Sequence, residues 1–398
     1  MELSDLAPSG LTETGSRILL VVIDGLGGLA DGAHGTELEE ATTPNLDRLA
    51  AGGITGLIEP VGPGITPGSG PGHLALFGYD PLRFVLGRGA LGAAGLGIEL
   101  LPGDVAARGN LATLDPSGAV ADRRAGRIPD EDARRVVEEL SAALPDVGFH
   151  HEKGHRVLVI FHGEGLDPRV SDTDPQATGV PPLEPRALDP AAEPTVRLVR
   201  ERLRQIDEVL EHEPAANGLL LRGFDSHREL PSFHDRTGMS AAAVAIYPMY
   251  RGIARLLGFE VLGPPADLDE QVRLLEKHRD EADLFFVHHK GADAAGEDGD
   301  RAAKIAEIER LDRAVPDLVA AAEPGVIAVT GDHATPSQMA AHSWHPVPVL
   351  VHGPRCGRDE VERFGERWSR GGGLGIRPSL HLLPILMANA GRLAKYGA

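Results

Sequence analysis

The segment RILLVVIDGLGG, at residues 17–28, decides the fold of this chain. It contains a continuous run of leucine and β-branched residues that ends at Ile23. Such a run is typical of a parallel β-strand that is buried on both faces. The run leads directly into Asp24 and Gly25. The segment therefore predicts an α/β protein in which the chain leaves a buried strand at an acidic residue.

Further strand-like and helix-like segments occur in both the N-terminal and the C-terminal parts of the chain. Strand-like runs lie at residues 53–61, 284–289, 325–330 and 347–352, and helix-like segments begin at Pro44 and span 300–322. Between them, charges are denser and prolines cluster, with a predicted strand at 156–161 and a helix at 195–211. We expect an α/β core with a mostly parallel central sheet flanked by helices, built from residues 1–106 and 235–398. A smaller inserted α/β or α+β cap domain is expected at 107–234.

Composition excludes several classes of partner and site. The length of 398 residues is consistent with two or three domains. The formal net charge of −20 disfavours nucleic acid and anionic membranes as partners. The one cysteine excludes an internal disulfide framework and a multi-cysteine metal site. The sequence shows neither a signal peptide nor a membrane span, so we expect a cytoplasmic protein. Its oligomeric state is not readable from these features.

Three acidic residues follow three of the predicted strands: Asp24, Asp293 and Asp332. Because the carboxyl ends of parallel strands meet at one edge of a sheet, these carboxylates are expected to converge. Histidines accompany them, at positions 333, 342 and 345. Carboxylate and imidazole ligands without thiolate suit Mn²⁺, Zn²⁺, Co²⁺ or Mg²⁺, and the set is large enough for two ions. Taken singly, each aspartate could equally be a turn former or helix cap, and each histidine a hydrogen-bonded loop residue.

Ser69 is the candidate nucleophile, in the glycine-rich and proline-rich loop at residues 62–72. Glycines on both sides of the serine allow the backbone to approach a ligand closely. A helix beginning near His73 would favour an anion there, through its free N–H groups and its dipole. A serine hydroxyl needs a base or a metal for activation near neutral pH. The alternative is a plain connecting loop.

The arginines at 123, 124 and 127 are unusual in so acidic a protein. Guanidinium groups in a cluster suit the carboxylate or phosphate of a small substrate. Ion pairs with Asp122, Asp130 and Glu131 are the structural alternative. The G-x-G-x-x-G match at 87–92 follows no long strand, so we reject a dinucleotide site there. The histidines at 150, 151 and 155 are interpreted as solvated surface.

These motifs together resemble the cofactor-independent phosphoglycerate mutases of archaeal type, in the alkaline phosphatase superfamily. The resemblance extends over most of the chain, and its order and coverage make it specific. The matching segments are LLVVIDGLGG at 19–28, ATTPNLDRLA at 41–50, TPGSGPGHLALFGYDP at 66–81, ARGNLATLD at 107–115, ADRRAGRI at 121–128, SDTDPQATG at 171–179, NGLLLRG at 217–223, AIYPMYRGIARLLG at 245–258, VHHKGADAAGEDGD at 287–300, VTGDHATP at 329–336 and HSWHPVPVL at 342–350.

The resemblance implies a two-metal centre and an alkaline-phosphatase-like core. One ion would be held by Asp24, Ser69, Asp332 and His333, and the other by Asp293, Glu297 and His342. Glu297 stands where the family commonly has histidine, and this extra carboxylate favours Mn²⁺, with Mg²⁺, Co²⁺ or Zn²⁺ as alternatives. His345 replaces a residue that is often acidic, so whether Glu297 or His345 completes the second set stays open.

The resemblance also implies the reaction, which is the interconversion of 3- and 2-phosphoglycerate in glycolysis and gluconeogenesis. It needs no bisphosphoglycerate. Ser69 would attack the phosphoryl group and become phosphoserine, and Lys290 would neutralise or protonate the alkoxide side. The inserted domain would exclude water, because water would hydrolyse the phosphoserine. The residues that would bind the substrate are Asn110, Asp122, Arg123, Arg124, Arg156 and His73, with Arg124 also assigned to catalysis.

Two other functions share much of this machinery. A metal-dependent phosphomonoesterase of the same superfamily would use Ser69 and the same ligands, so only the inserted domain argues against it. A non-catalytic binder of a phosphorylated ligand is the second alternative. It is motivated by Glu297 and by Gly70, which stands where the family usually has an acidic residue.

Overall fold

The structure, a computed structural model, describes residues 12, 15–227 and 230–395. In chain order the strands are β1 (Ile18–Ile23), β2 (Ile54–Glu59), β3 (Val105–Leu114), β4 (Val120–Asp122), β5 (Val147–Lys153), β6 (Arg156–Phe161), β7 (Gly218–Ser226), β8 (Ala241–Ala245), β9 (Glu260–Val261), β10 (Leu284–His289), β11 (Val326–Thr330), β12 (Val347–His352) and β13 (Gly375–Pro378). The α-helices are α1 (Glu37–Glu40), α2 (Pro44–Gly52), α3 (Ser69–Leu76), α4 (Arg88–Leu96), α5 (Asp130–Ala143), α6 (Glu193–Leu210), α7 (Phe233–Thr237), α8 (Pro248–Leu256), α9 (Leu268–His278), α10 (Gly291–Glu297), α11 (Arg301–Ala322), α12 (Glu366–Ser369) and α13 (Leu382–Asn389).

The larger of two compact units, here called the core unit, combines Met1–Val85 with Leu230–Ala398. Its eight-stranded sheet has the order β13-β2-β12-β11-β1-β10-β8-β9. β1 pairs in parallel with both β10 and β11, and β8 continues this parallel arrangement beside β10. Among the described strands of this sheet, β12 runs against its neighbours. The predicted α/β core with a mostly parallel sheet is therefore confirmed.

The central strands are buried along their whole length. Every residue of β1, β10 and β11 is buried, because helices α9, α10, α11 and α13 pack against these strands. Removal of a leucine or isoleucine side chain from water contributes about 1.5–3 kcal/mol. The resulting rigid sheet fixes the positions at which β1, β10 and β11 end, and these ends carry the candidate site.

Helix α11 shows how local sequence sets an element that supports this sheet. The Asp300 side chain accepts a hydrogen bond of 2.9 Å from the Ala303 backbone N–H and so caps the helix N-terminus. The helix therefore begins directly after Asp300, one residue later than the predicted start at residue 300.

The smaller unit, Leu86–Glu229, is here called the insert. Its strands pair antiparallel in the order β4-β3-β6-β5, and β7 pairs with β3. Apolar residues of α5 and α6 form one hydrophobic core with the sheet, and residues of α4 form a second cluster with β3 and β6.

The insert begins at Leu86, whereas the sequence placed its start at residue 107. The difference arises because α4 packs on strands β3, β6 and β7. Its glycines permit this approach, since a Cβ atom at Gly89 would clash with the Ala106 carbonyl. The glycine-rich segment at 87–92 is therefore used for helix-to-sheet packing. No helix within the described residues is long and apolar enough to span a membrane.

Candidate metal centre and nucleophile

The three acidic residues expected to converge lie together at one edge of the core sheet. Asp24 follows β1, Asp332 follows β11, and Asp293 lies in α10 just after β10. All three side chains are buried. The Gly25 N–H donates a hydrogen bond of 3.2 Å to Asp332 Oδ1, which joins the two loops. Parallel strands produce this arrangement because their carboxyl ends share an edge.

The first group of candidate ligands consists of Asp24, Asp332 and His333, whose ligand atoms all lie within 4.8 Å of one another. His333 Nε2 is 3.3 Å from Asp24 Oδ1 and 3.3 Å from Asp332 Oδ2. Asp24 Oδ1 and Asp332 Oδ2 are buried and accept no hydrogen bond from the described part of the chain. A buried anionic oxygen is costly without a partner, so this donor set fits a divalent cation.

The second group consists of Asp293, His333 and His342. His342 Nε2 lies 3.5 Å from Asp293 Oδ1 and 3.5 Å from Glu297 Oε1. The Glu297 side chain is 55% exposed, so it approaches the group from its open side. The imidazoles of His333 and His342 stack with their centroids 3.8 Å apart. The two groups are therefore adjacent and share His333. They contain most of the residues that the resemblance implied as ligands, and the assignment of these residues to two ions stays a prediction.

His345 lies outside both groups. Its Nδ1 is 2.9 Å from the Ser343 hydroxyl, and its ring stacks on Trp344 at a centroid distance of 5.1 Å. Of the two alternatives for completing the second set, the geometry favours Glu297.

Burial and neighbouring charges shift the pKa values of several residues in the site. Burial opposes ionisation of Asp24, but the charge of Lys290 and the adjacent imidazoles of His288 and His333 hold its pKa well below the usual value. Burial and the nearby charge of Asp24 raise the pKa of Asp293. Burial also opposes protonation of His342, yet Glu297 and Asp293 raise its pKa to about 9. The site thus concentrates negative charge that calls for cations.

Lys290 supplies one such cation. Its ammonium Nζ lies 3.1 Å from Asp24 Oδ2 and forms a closer ion pair with Asp293. Burial disfavours the charged amine, but the two carboxylates outweigh burial and raise the pKa of Lys290. The lysine therefore contributes fixed positive charge between the two ligand groups.

Ser69 is the first residue of α3, so the helix begins four residues earlier than the expected start near His73. The Ser69 hydroxyl lies 3.2 Å from His333 Nε2. A Cβ atom at Gly72 would clash with the Asp332 carbonyl, so this glycine lets α3 lie directly against the loop of the first group. The serine is thus held at a helix N-terminus beside the candidate ligands, where an incoming anion is favoured.

His73 has no exposed surface. Its Nδ1 donates a hydrogen bond of 2.8 Å to the Ser69 carbonyl and lies 3.2 Å from Asp332 Oδ2. This placement differs from the expected substrate contact, because one helical turn of α3 brings the imidazole beneath the serine and not beside it. The position favours a role in holding Ser69 and Asp332.

Tyr250 and His288 also hold the site, and the sequence analysis did not single them out. The Tyr250 hydroxyl donates a hydrogen bond to Asp24 Oδ2, and His288 Nε2 lies 3.3 Å from the same oxygen. Their rings stack at a centroid distance of 3.6 Å. His288 is the penultimate residue of β10 and of the predicted strand 284–289, and that position was the available signal for it. Tyr250 comes from α8 and carried no local signal.

The insert carries a separate cluster of arginines on one face of its sheet. Strand register places Arg156 opposite Asn110, and Arg222 opposite Arg108. Burial and the charge of Arg108 lower the pKa of Arg222. Asn110 Oδ1 is buried and finds no hydrogen-bond partner in the described chain. Clustered guanidinium groups with an unpaired amide oxygen suit an anionic ligand that also carries hydroxyls.

Arg124 belongs to the same neighbourhood. Burial and the charges of Arg156 and Arg124 lower the pKa of His155 to about 4. Arg124 is followed by residues with φ of 47°, 65° and 59° at 125, 126 and 127. Strained backbone of this kind concentrates at functional sites.

Asp122 and Arg123 have structural partners in the insert. Asp122 accepts hydrogen bonds from the Arg124 and Gly126 backbone N–H groups at 2.7 and 3.0 Å, which shapes the turn. Arg123 donates two hydrogen bonds to the buried Asp174 carboxylate at 2.9 and 2.7 Å. Asp174 was not among the partners considered from sequence, because it lies 51 residues from Arg123. These contacts favour positioning roles for both residues.

Arg108 and Arg222 also belong to the cluster and were missed from sequence. Both occur in segments that carried the family resemblance, ARGNLATLD and NGLLLRG. Arg108 and Asn110 occupy alternate positions of β3, and recognition of this strand in the sequence would have been the signal for Arg108, since alternate residues share a face.

Comparisons with known proteins identify a family that this chain resembles over nearly its whole length. Residues 50–216 match the model of a family described as 2,3-bisphosphoglycerate-independent phosphoglycerate mutase. A Thermus thermophilus protein named "Probable 2,3-bisphosphoglycerate-independent phosphoglycerate mutase" is 50% identical over 395 residues, which cover 97% of this chain and 97% of that protein.

Solved structures give the same fold. A Pyrococcus horikoshii protein matches with a TM-score of 0.82 at 30% identity, covering 96% of this chain and all of that one. The cofactor-independent phosphoglycerate mutase of Thermoplasma acidophilum matches with a TM-score of 0.68 at 29% identity, covering 94% of this chain and all of that one.

Proposed function

The chain belongs to the family of 2,3-bisphosphoglycerate-independent phosphoglycerate mutases, and we propose that it moves the phosphoryl group through a phosphoserine at Ser69. The observation that carries the proposal is the placement of the Ser69 hydroxyl 3.2 Å from His333 Nε2. That nitrogen belongs to both candidate metal groups. A serine in this position is the group that a metal centre would activate as a nucleophile.

Two divalent ions fit the two ligand groups. Asp24, Asp332 and His333, with Ser69, would hold one ion, and Asp293, Glu297 and His342 the other. When bound, such ions supply Lewis acidity and lower the pKa of a coordinated hydroxyl. Three aspartates and a glutamate make the donor set rich in oxygen, which favours Mn²⁺ or Mg²⁺ over softer ions.

In the first half of the reaction, Ser69 Oγ forms a bond to phosphorus as the bond between phosphorus and the 3-oxygen breaks. The serine proton is replaced by the phosphoryl group, and the released 3-oxygen takes up a proton to give glycerate. Lys290 lies beside Asp24 and Asp293 and contributes positive charge where negative charge develops. In the second half, the 2-hydroxyl of glycerate attacks the phosphoserine, loses its proton and restores Ser69.

Glycerate must stay bound between the two halves, and its carboxylate requires a cationic partner. We assign this role to the arginine cluster of the insert, with Arg124 and Arg156 as contacts and Asn110 as a partner for a hydroxyl. Arginine binds a carboxylate through two parallel hydrogen bonds, which also fixes orientation. Asp122 and Arg123 would act by shaping the turn that carries Arg124.

The test is phosphorus NMR of protein that has been stripped with a chelator and reconstituted with Mn²⁺. The substrate is 3-phosphoglycerate, with no bisphosphoglycerate present. We expect a 2-phosphoglycerate resonance to grow, and acid quenching with mass spectrometry to find the phosphoryl group on Ser69. Release of inorganic phosphate alone would instead identify a phosphomonoesterase.

Two variants extend the experiment to the insert. Arg124→Ala is expected to raise KM and to increase hydrolysis relative to transfer, because glycerate would leave before the second half. Arg134→Ala, in helix α5, is the matched control and should leave both quantities unchanged. An unaltered ratio in the Arg124 variant would remove that residue from the proposed substrate contacts.

A further inference from the structure

Thr335 is a buried residue that touches both candidate metal groups. Its hydroxyl donates a hydrogen bond of 2.6 Å to Asp293 Oδ1, in the second group. The same hydroxyl oxygen lies 3.0 Å from His333 Nδ1. Because a hydroxyl has one proton, and Asp293 receives it, the oxygen must accept from the His333 Nδ1–H. His333 Nε2 is then left with a lone pair that faces the ligand groups.

Lys304 fixes the backbone at this point. Its side chain is fully buried, and its ammonium donates hydrogen bonds to the carbonyls of Thr335 at 2.8 Å and Gly27 at 3.0 Å. Gly27 lies in the loop that follows Asp24. One cation on α11 therefore ties the loop after β1 to the loop after β11. Glu37 balances the buried charge at 3.7 Å.

Packing leaves Thr335 little freedom to move. A Cβ atom at Gly25 would lie 2.7 Å from the Thr335 hydroxyl and 2.8 Å from Asp293 Cβ. Gly25 has a φ of +66°, a conformation that glycine adopts without strain. A Cβ atom at Gly296, in α10, would clash with the Thr335 carbonyl. The loop after β1 and helix α10 thus close around this one residue.

We propose that Thr335 and Lys304 are positioning residues that set the separation of the two metal subsites and fix the tautomer of His333. The proposal rests on the two-metal centre described above. Partners that orient metal ligands typically change metal affinity or activity by about 10–100-fold when they are removed. Thr335 differs from an ordinary partner of this kind because one hydroxyl orients a ligand from each group.

The first test compares Thr335→Val with Thr335→Ser. Valine keeps the shape and removes the hydroxyl, whereas serine keeps the hydroxyl. Mn²⁺ binding is measured by calorimetry and electron paramagnetic resonance on the stripped protein, without substrate. We expect Thr335→Val to weaken at least one Mn²⁺ site by roughly 10-fold and to abolish the coupling between neighbouring ions, and Thr335→Ser to stay within about 3-fold of wild type.

The second test removes the buried lysine. Lys304→Met is combined with Glu37→Gln, so that both members of the buried Lys304–Glu37 pair lose their charge together. We expect the double variant to lose Mn²⁺ affinity in the same way and to lower kcat more than it changes KM. Asp312→Asn is the matched control, because Asp312 is an equally buried polar residue of α11 that contacts the backbone of α2 instead. It should lower stability and leave Mn²⁺ binding unchanged.

The outcomes separate this inference from the proposed function. If wild-type protein binds two Mn²⁺ ions and Thr335→Val binds them with unaltered affinity and coupling, the inference is wrong while the two-metal centre stands. If wild type does not bind two ions, the two-metal proposal itself fails. Equal loss in the valine and serine variants would also overturn the inference, because serine retains the hydroxyl and should then have retained Mn²⁺ affinity.

Discussion

At the scale of single residues, the site depends on several side chains whose partners lie far away in sequence. Asp24 is the best example, because it is buried and faces Lys290, His288 and His333 from other elements. Its Oδ1 is buried and accepts no hydrogen bond within the described residues, so this oxygen is suited to bind a cation. The residue scale is therefore where the assigned chemistry can be tested most directly.

Ser69→Ala removes the proposed nucleophile and little else. We expect kcat to fall by roughly 10⁴-fold or more, because no neighbouring group can take over covalent transfer. Mn²⁺ binding should persist, since the aspartate and histidine ligands remain. Steady-state kinetics and calorimetry measure the two effects, and Ser117→Ala, in an exposed turn of the insert, is the control. Mutase turnover in the Ser69 variant would exclude the serine as nucleophile.

Glu297→Gln removes one negative charge from the second ligand group. We expect Mn²⁺ affinity at that group to drop on the order of 10-fold while the first group is unaffected, because Glu297 contacts His342 and not Asp332. Competition with a fluorescent chelator measures the two affinities. Asp298→Asn, at the next position, removes the same charge from a neighbouring side chain and should have no effect. Equal behaviour of the two variants would show that Glu297 is not a ligand.

At the scale of elements, the carboxyl ends of β1, β10 and β11 and the N-terminus of α3 build the site together. The strands bring the acidic residues to one edge, and α3 delivers Ser69 with its free N–H groups. The close approach of α3 to the loop after β11 depends on a residue without a side chain, Gly72. This contact between elements is as necessary as any ligand.

Gly72→Ala is expected to push α3 away from the Asp332 carbonyl. Overpacking of this kind typically costs about 1–3 kcal/mol, and displacement of Ser69 should lower kcat by roughly 10-fold or more. Gly62→Ala is the control from the same loop, because its Cβ atom would meet only the Ile65 side chain at 3.4 Å. Circular dichroism during heating measures the stability of the two variants, and steady-state kinetics measures their kcat. Normal activity in the Gly72 variant would contradict the required contact.

The Arg123–Asp174 pair gives the insert a pH-dependent contribution to stability. Burial opposes ionisation of Asp174, but the hydrogen bonds from Arg123 outweigh it and lower the pKa of that carboxyl. A carboxyl with a lowered pKa in the folded state stabilises above its unfolded pKa of about 3.9, and this contribution is lost as pH falls through the folded value. Wild-type stability should therefore decrease below about pH 4.

The variant Asp174→Asn tests whether the Arg123–Asp174 pair contributes this pH-dependent stability. Loss of a charged hydrogen-bonded pair should cost about 1.5–3 kcal/mol at pH 7, and the difference from wild type should shrink as the pH approaches 3. Urea unfolding at a series of pH values measures it. Asp167→Asn breaks the exposed pair with Arg169 and serves as control. A difference that is constant with pH would exclude Asp174 titration as the cause.

At the scale of the whole molecule, a cluster of buried carboxylates makes folding and metal binding interdependent. Chelation should abolish activity and lower the melting temperature, because the buried aspartates then lack a cation partner. Mn²⁺ at about 100 times its dissociation constant should restore roughly 2.7 kcal/mol of stability per site. Calorimetry of stripped and reconstituted protein measures this. An unchanged melting temperature would contradict ion binding at these groups.

Much of the architecture followed from local pattern alone. The apolar side chains of a run such as 17–23 leave water only when both faces of the strand are buried, so the parallel sheet was predictable. Strand direction then places Asp24 and Asp332 at one edge, whatever the details of packing. The start of α3 was misplaced, because the glycines and prolines around Ser69 disfavour a helix locally and tertiary contacts override them.

The sequence by itself therefore determined the α/β core, the edge at which the acidic residues gather and the serine beside them, since these follow from short-range patterns and strand polarity. Tertiary structure alone decided how the side chains are used. It buried His73 beneath Ser69, paired Arg123 with Asp174 and brought Thr335 between the two ligand groups. Such contacts join residues that are distant in the chain or packed inside the fold, and no local period encodes them.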